Sequence, residues 1–316
     1  MITLCFRINS LASVVLDPRN VVFIALLATL FALVATVRFP LKSAILFSRA
    51  SATRRLIVDP KEEPEGIGQS KTLSPARRVV VETMYHSSKL SLLPCSRAIN
   101  VAPLVMARSC AATPPSWTAL FIKAYGLTSQ IHRELRQTAV AWPWLHIYEH
   151  PRSNAVLPVE REYQGERVVF MAKIMRPEVH TLAEIDQLLR YFQDTPVEKV
   201  SYFRQWLRLG YIPWFLRRFV FWQTLYLSGY KKAKRFGTFA VSSVGSMGAE
   251  IDHAWTPLST YFTFGPISAT GDCTVRIIFD HRVMDARTVA RCLATLEEVL
   301  NTTILAELRN PQQAAA

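Results

Sequence analysis

The chain of 316 residues is long enough for one large domain or two small ones, and half of it is apolar, so a sizeable core is within reach. Eleven glycines are few for this length and argue against a glycine-rich nucleotide-binding fold. The net charge of +13 is concentrated in two acid-free stretches, 38–58 with five Lys or Arg and 199–235 with nine, so the basicity is local.

Val21–Val37 is an uncharged run of 17 residues in which Thr29 and Thr36 are the only polar members. That is the lower limit for crossing a bilayer, and Arg38 and Lys42 can snorkel outward to extend it. Positive charge lies mainly after the run, which places the C-terminal side in the cytoplasm. A cleaved signal peptide fits less well, because no small-residue cleavage site follows. Residues 1–58 are therefore expected to be a single-pass membrane anchor with a basic juxtamembrane segment. A mitochondrial presequence is the alternative, since the first 50 residues are poor in acid and contain several Arg and Ser. Residues 59–72, with Pro60, Pro64, Gly66 and Gly68, read as a linker.

From 73 to 305 the pattern is α/β. Helices are expected over 77–88, 102–111 and 117–135, the last with an apolar stripe from Leu120 through Ile122, Ala124, Leu127 and Ile131 to Leu135. A short strand is expected at 98–101. Strands at 155–161 and 167–174 pair across a Gln164–Gly165 turn. Thr181, with Glu184 three residues on, opens a helix to 193 through a capping box. Trp142, Pro143 and Trp144 read as core packing. Residues 199–235 hold 11 aromatics, and Pro213 divides them into two helices. Their aromatic and cationic make-up suits a membrane interface, with packing on the core as the alternative. No nucleic-acid motif accompanies them, so no nucleic acid is expected as a partner. Strands at 239–244 and 274–279, a helix at 286–300 and a tail at 306–316 complete the chain.

Cys5, Cys95, Cys110, Cys273 and Cys292 form no C-x-x-C pair, and the scattered His132, His146, His150, His180 and His253 lack ligand spacing. No disulfide framework and no metal is expected. Three other segments carry chemistry. In Phe279-Asp280-His281-Arg282-Val283-Met284-Asp285-Ala286, a β-branched strand delivers His281 to a tight turn, and Asp285 stands where it can cap the next helix. In Gly237-Thr238-Phe239-Ala240-Val241-Ser242-Ser243-Val244-Gly245, a strand brings two serines to a glycine turn, where a hydroxyl can donate to an oxyanion. Phe121-Ile122-Lys123-Ala124 lies early in a buried helix.

In this order the three segments resemble the catalytic domain of the dihydrolipoyl acyltransferases of 2-oxo acid dehydrogenase complexes, whose relatives include chloramphenicol acetyltransferase. Leu73-Ser74-Pro75-Ala76-Arg77-Arg78 is similar to that family's entry segment, so the resemblance covers 73–305. The chain departs from the pattern in lacking a lipoyl domain, in its insertion at 199–235, and in Ala286 where the family has glycine. The resemblance implies a chloramphenicol-acetyltransferase-like α/β domain, an α+β two-layer sandwich with a mixed sheet, here preceded by an apolar helix. It implies acyl transfer from a thioester donor such as acyl-CoA to a hydroxyl or thiol. His281 would be the general base, and Ser242, with Ser243 beside it, the oxyanion donor. Asp285 would be held by Arg77 or Arg78. It further implies a homotrimer in which one subunit gives the histidine and its neighbour the serine. The alternative is an inactive trimeric scaffold or lipid-binding module on the same fold.

Overall fold

A computed structural model describes residues 72–310, so the apolar run at 21–37, the basic segment after it and nearly all of the linker lie outside the described residues. Spanning a bilayer takes about 20 apolar residues in helix. Among the described residues no helix is long and apolar enough to cross a membrane, and the expectation of a single-pass protein with a cytoplasmic catalytic domain is corrected on that finding.

Pro75–Ser87 forms α1, which opens on a Ser74 cap accepting from the Arg77 amide with proline in the first turn. β1 (Leu92–Asn100) follows, then α2 (Ala102–Cys110) and α3 (Trp117–Ile131), which Ser116 caps. A small hairpin of β2 (Gln137–Val140) and β3 (His146–Glu149) leads to β4 (Asn154–Tyr163) and β5 (Glu166–Met175). Gln164 and Gly165, both at positive φ, make the turn between β4 and β5. α4 (Leu182–Asp194) has the complete Thr181–Glu184 capping box. The basic segment folds as three helices, α5 (Ser201–Tyr211), α6 (Trp214–Tyr226) and α7 (Gly229–Phe236). β6 (Phe239–Ser242), β7 (Thr260–Phe264), β8 (Asp272–Asp280) and α8 (Ala286–Val299) follow. A π-helical turn at Leu300–Ile304 then leads into α9 (Leu305–Arg309), so the tail expected from 306 is helical at its start.

Six strands form one mixed sheet in the order β1-β8-β7-β6-β4-β5. β7, β6 and β4 run parallel, and β1, β8 and β5 pair antiparallel to their neighbours. Strand alternation sends Phe239, Val241, Phe262, Phe264, Val275 and Ile277 to one face, all buried, under α3, α4 and α8. There Phe121 stacks on Phe264 at 4.3 Å and Tyr125 on Phe239 at 4.2 Å between ring centroids. Burial of each such side chain contributes about 1.5–3 kcal/mol. On the other face α7 lies across β4 and the β2–β3 hairpin. At Gly237 the chain turns from α7 into β6 with φ +87°, where a Cβ would sit 2.4 Å from Val156 Cγ2.

One strand was not foreseen and two expectations are corrected, each for a physical reason. β7 is buried along its length and shows no alternation to read, as strands covered on both faces do not. β1 starts at Leu92 rather than 98 because it is an edge strand with most side chains exposed. Trp142 and Trp144 lie at the tip of the β2–β3 hairpin, 55% and 71% exposed, and not in the core.

Candidate active site

His281 ends β8. Its amide donates to the Ser91 carbonyl at 3.3 Å, which ties the turn to the start of β1. Beneath it, fully buried Asp280 accepts from Arg282 Nη2 at 2.7 Å, from its Nε at 2.9 Å and from its backbone amide at 3.1 Å. This two-pronged pairing closes the turn on itself. Lys232 of α7 is also fully buried near Asp280; it donates to Thr138 Oγ1 at 2.6 Å, and burial pushes its ammonium down to about 8.

The imidazole is half exposed, with Nδ1 3.1 Å from the Met284 carbonyl and 3.5 Å from Asp285 Oδ1. A carbonyl can only accept, so Nδ1 carries the proton in the neutral ring and the Nε2 lone pair is left free. The Phe279 ring meets the imidazole edge-on at 5.9 Å. Asp285 occupies the N-cap position of α8, yet its carboxylate caps no helix amide and turns to His281 instead. Ala286 begins α8 without positive φ, so the turn forms with no glycine there.

The expected partnership of Asp285 with Arg77 or Arg78 is absent within the chain. Arg77 bonds Glu166 at 3.2 Å and the Arg167 carbonyl at 3.3 Å, and Arg78 bonds the Leu73 carbonyl at 2.9 Å. Arg77 and Arg78 lie at the start of α1 beside the edge strand β5, whereas the end of the helix, at His86, reaches the turn, and this separates the arginines from His281.

The two serines differ in what they can do. Ser243 Oγ donates its one proton to the Phe264 carbonyl at 2.9 Å and accepts from the Gly245 amide at 3.1 Å, so it has no proton left for an oxyanion. Ser242 is half-buried at the end of β6, on the sheet face that α7 covers over β4. There its hydroxyl meets the phenol of Tyr261, which burial pushes up.

Within one chain Ser242 and His281 are far apart. Ser242 is level with Thr263, and Thr263 with Arg276, five residues short of His281 along β8. At about 3.3 Å per residue and about 4.8 Å per strand the separation is about 20 Å. The small cavity beside the turn, lined by His86, Tyr226, Lys232 and Arg282, has a volume of about 20 Å³, too little for an acyl thioester. The sequence left open whether Asp280 and Arg282, which flank His281, form a buried pair; the structure closes that pair, and Lys232 is the residue that sequence reasoning missed. The i, i+2 spacing of acid and arginine around His281 was the signal for the pair; nothing in the sequence marked Lys232 among its basic neighbours.

Several solved structures share this arrangement of sheet and helices. The dihydrolipoamide acetyltransferase of Azotobacter vinelandii superposes with a TM-score of 0.55 at 13% identity, covering 78% of this chain and 100% of that chain. The chain has the fold of an acyltransferase core. A probable dihydrolipoamide acetyltransferase from Listeria monocytogenes has the same fold at a TM-score of 0.53 and 13% identity, over 78% of this chain and 97% of its own. The truncated catalytic core of the 2-oxoacid dehydrogenase multienzyme complex from Thermoplasma acidophilum also scores 0.53 at 13% identity, over 74% and 99%. No protein-family model matches the sequence, and no curated protein does. Measured against the acyltransferase-core fold, the His281 turn ends a strand of the main sheet, and α5–α7 lie in the aromatic and basic segment that the sequence marks as an insertion.

Proposed function

We propose that residues 73–305 form an acyltransferase that moves an acyl group from a thioester donor, acyl-CoA being the leading candidate, to a hydroxyl or thiol. The observation that carries this reading is the His281 ring, with Nδ1–H engaged by the Met284 carbonyl and Nε2 free to take a proton. Nε2 removes the proton of the acceptor as its oxygen or sulfur attacks the thioester carbonyl. The Ser242 hydroxyl donates to the oxyanion so formed, the C–S bond breaks, and the imidazolium returns the proton to the leaving thiolate. No acyl-enzyme is needed.

The work on the Azotobacter vinelandii enzyme concerns a serine, a histidine and an asparagine four residues beyond that histidine. Here Asp285 stands four residues beyond His281. The separation of about 20 Å estimated from strand spacing fits a site completed by a second copy, as in the trimer that the family resemblance implies. Asp285, 3.5 Å from Nδ1, helps orient the ring.

The test is thiol release from a panel of acyl-CoAs with hydroxyl and thiol acceptors. His281→Ala is expected to abolish release while the melt is unchanged. Ser242→Ala is expected to slow turnover by about 10²–10³ with little change in KM, and Ser243→Ala to have far less effect. Near-normal turnover of His281→Ala would remove the base assignment.

A further inference from the structure

A cleft of about 810 Å³ opens between the sheet and α5–α7, within the range of about 300–1,000 Å³ typical of small-molecule sites. It does not include His281 or Ser242. Met171, Leu209, Val220 and Phe221 give it an apolar interior from three different elements. Around that interior stand five cations, Lys173, Arg208, Lys231, Lys234 and Arg235, and none of the described lining residues is Asp or Glu.

The five cations have no counterion among the described residues of the cleft. Among the described residues none of the five forms an ion pair with a carboxylate. The Lys173 ammonium, reaching up from β5, donates to the Lys234 carbonyl at 2.5 Å and lies 4.9 Å from the centre of the Tyr202 ring, with no carboxylate on it. Arg235 is fixed by Thr224 Oγ1 at 2.8 Å. Lys173 and Lys234 are close enough to repel: burial and the neighbouring Lys234 together push the Lys173 ammonium down. An anion placed between them would relieve that repulsion, while an aliphatic chain would dry the interior.

We propose that this cleft binds a single-chain amphiphile, its aliphatic tail along Met171, Leu209 and Val220 and its carboxylate or phosphate head between Lys173, Lys231 and Lys234. Neither half of the site suffices alone. A polar anion leaves the apolar interior wet, and an uncharged hydrocarbon leaves the lysines without a counter-charge. The site is separate from the acyl-transfer chemistry and stands whether or not that reading holds.

Calorimetric titration of the full chain with decanoate, dodecanoate, dodecyl phosphate and dodecanol, below their aggregation concentrations, tests it. Saturable binding is expected for the anions, tightening up to about fourfold per added CH₂. The alcohol is expected to bind at least tenfold more weakly. Comparison of dodecanoate with dodecyl phosphate tells a fatty acid from a lipid monophosphate. Lys231→Glu with Lys234→Glu is expected to weaken the anions at least tenfold without moving the melt, since both side chains are exposed. If that double variant does not fold, Leu209→Trp, which fills the cleft from a half-buried position, is expected to have the same effect on binding. His281→Ala is expected to bind as the parent does, so loss of turnover and loss of binding remain separable. Absence of saturable binding, equal binding of dodecanol, or indifference to the charge reversal overturns the proposal.

Discussion

His86 and His281 show how burial decides what an imidazole does. His281 is half exposed, with Nδ1 on the Met284 carbonyl. His86, on α1, is 2% exposed, stacked on Phe221 at 5.8 Å and packed against Tyr226 and Tyr85. Burial drives its pKa down to about 4, with Lys89 and Arg218 pushing the same way and Glu82, 3.5 Å away, opposing. The unfolded chain therefore takes up this proton first. The stability that the site contributes is complete above about pH 6.5 and is lost as pH falls toward 4, an effect on the order of 3 kcal/mol. His86→Phe keeps the stacking and removes the titration. Its urea midpoint is expected to fall less between pH 7 and pH 4 than that of the parent, and parallel declines would dismiss His86 as the sensor.

Helices with a clear 3.6-residue stripe or a cap were legible in the sequence: α3, α4 and α8 lie within a few residues of expectation, and the Thr181 box is complete. The strands that escaped were those with no alternation to show, namely β7, buried on both sides, and the exposed first half of β1. The β2–β3 hairpin was missed because each strand has only four residues. The packing of α1 on α5 was equally hidden. Gly210, near the end of α5, lies under the start of α1, where a Cβ would come 2.1 Å from the Pro75 carbonyl oxygen. Backbone cannot yield as a flexible side chain does, so Gly210→Ala is expected to lower stability by about 1–3 kcal/mol despite alanine's better helix propensity. A thermal melt equal to the parent's would mean that α1 shifts freely on α5.

At the scale of the whole molecule, strand order decides what the chain can do alone. The sequence displayed both Ser242 and His281. Their separation was not legible, because it depends on β6 and β8 running in opposite directions with β7 between them. If the two act in one reaction, they come from different copies. Co-expressed His281→Ala and Ser242→Ala chains then pair an intact histidine with an intact serine at about one quarter of the sites in a random cyclic assembly. About that fraction of parental turnover is expected from the mixture, against almost none from either variant alone. No recovery in verified mixed assemblies would place the chemistry within a single copy.

The hydrogen bond from His281 to the Met284 carbonyl bears on how this chain can drift over evolutionary time. A side-chain partner can be lost in one nucleotide change, whereas a main-chain oxygen is present whatever residue occupies position 284. The tautomer of the ring is therefore inherited with the shape of the turn. Apolar substitutions at 284, where the side chain is buried, change its size without moving the proton to the wrong nitrogen, provided that Asp280 and Arg282 keep the turn closed. Mutational sensitivity in this loop should fall on the clamp, the histidine and Asp285, and at 284 on loss of apolar character more than on the identity of the residue.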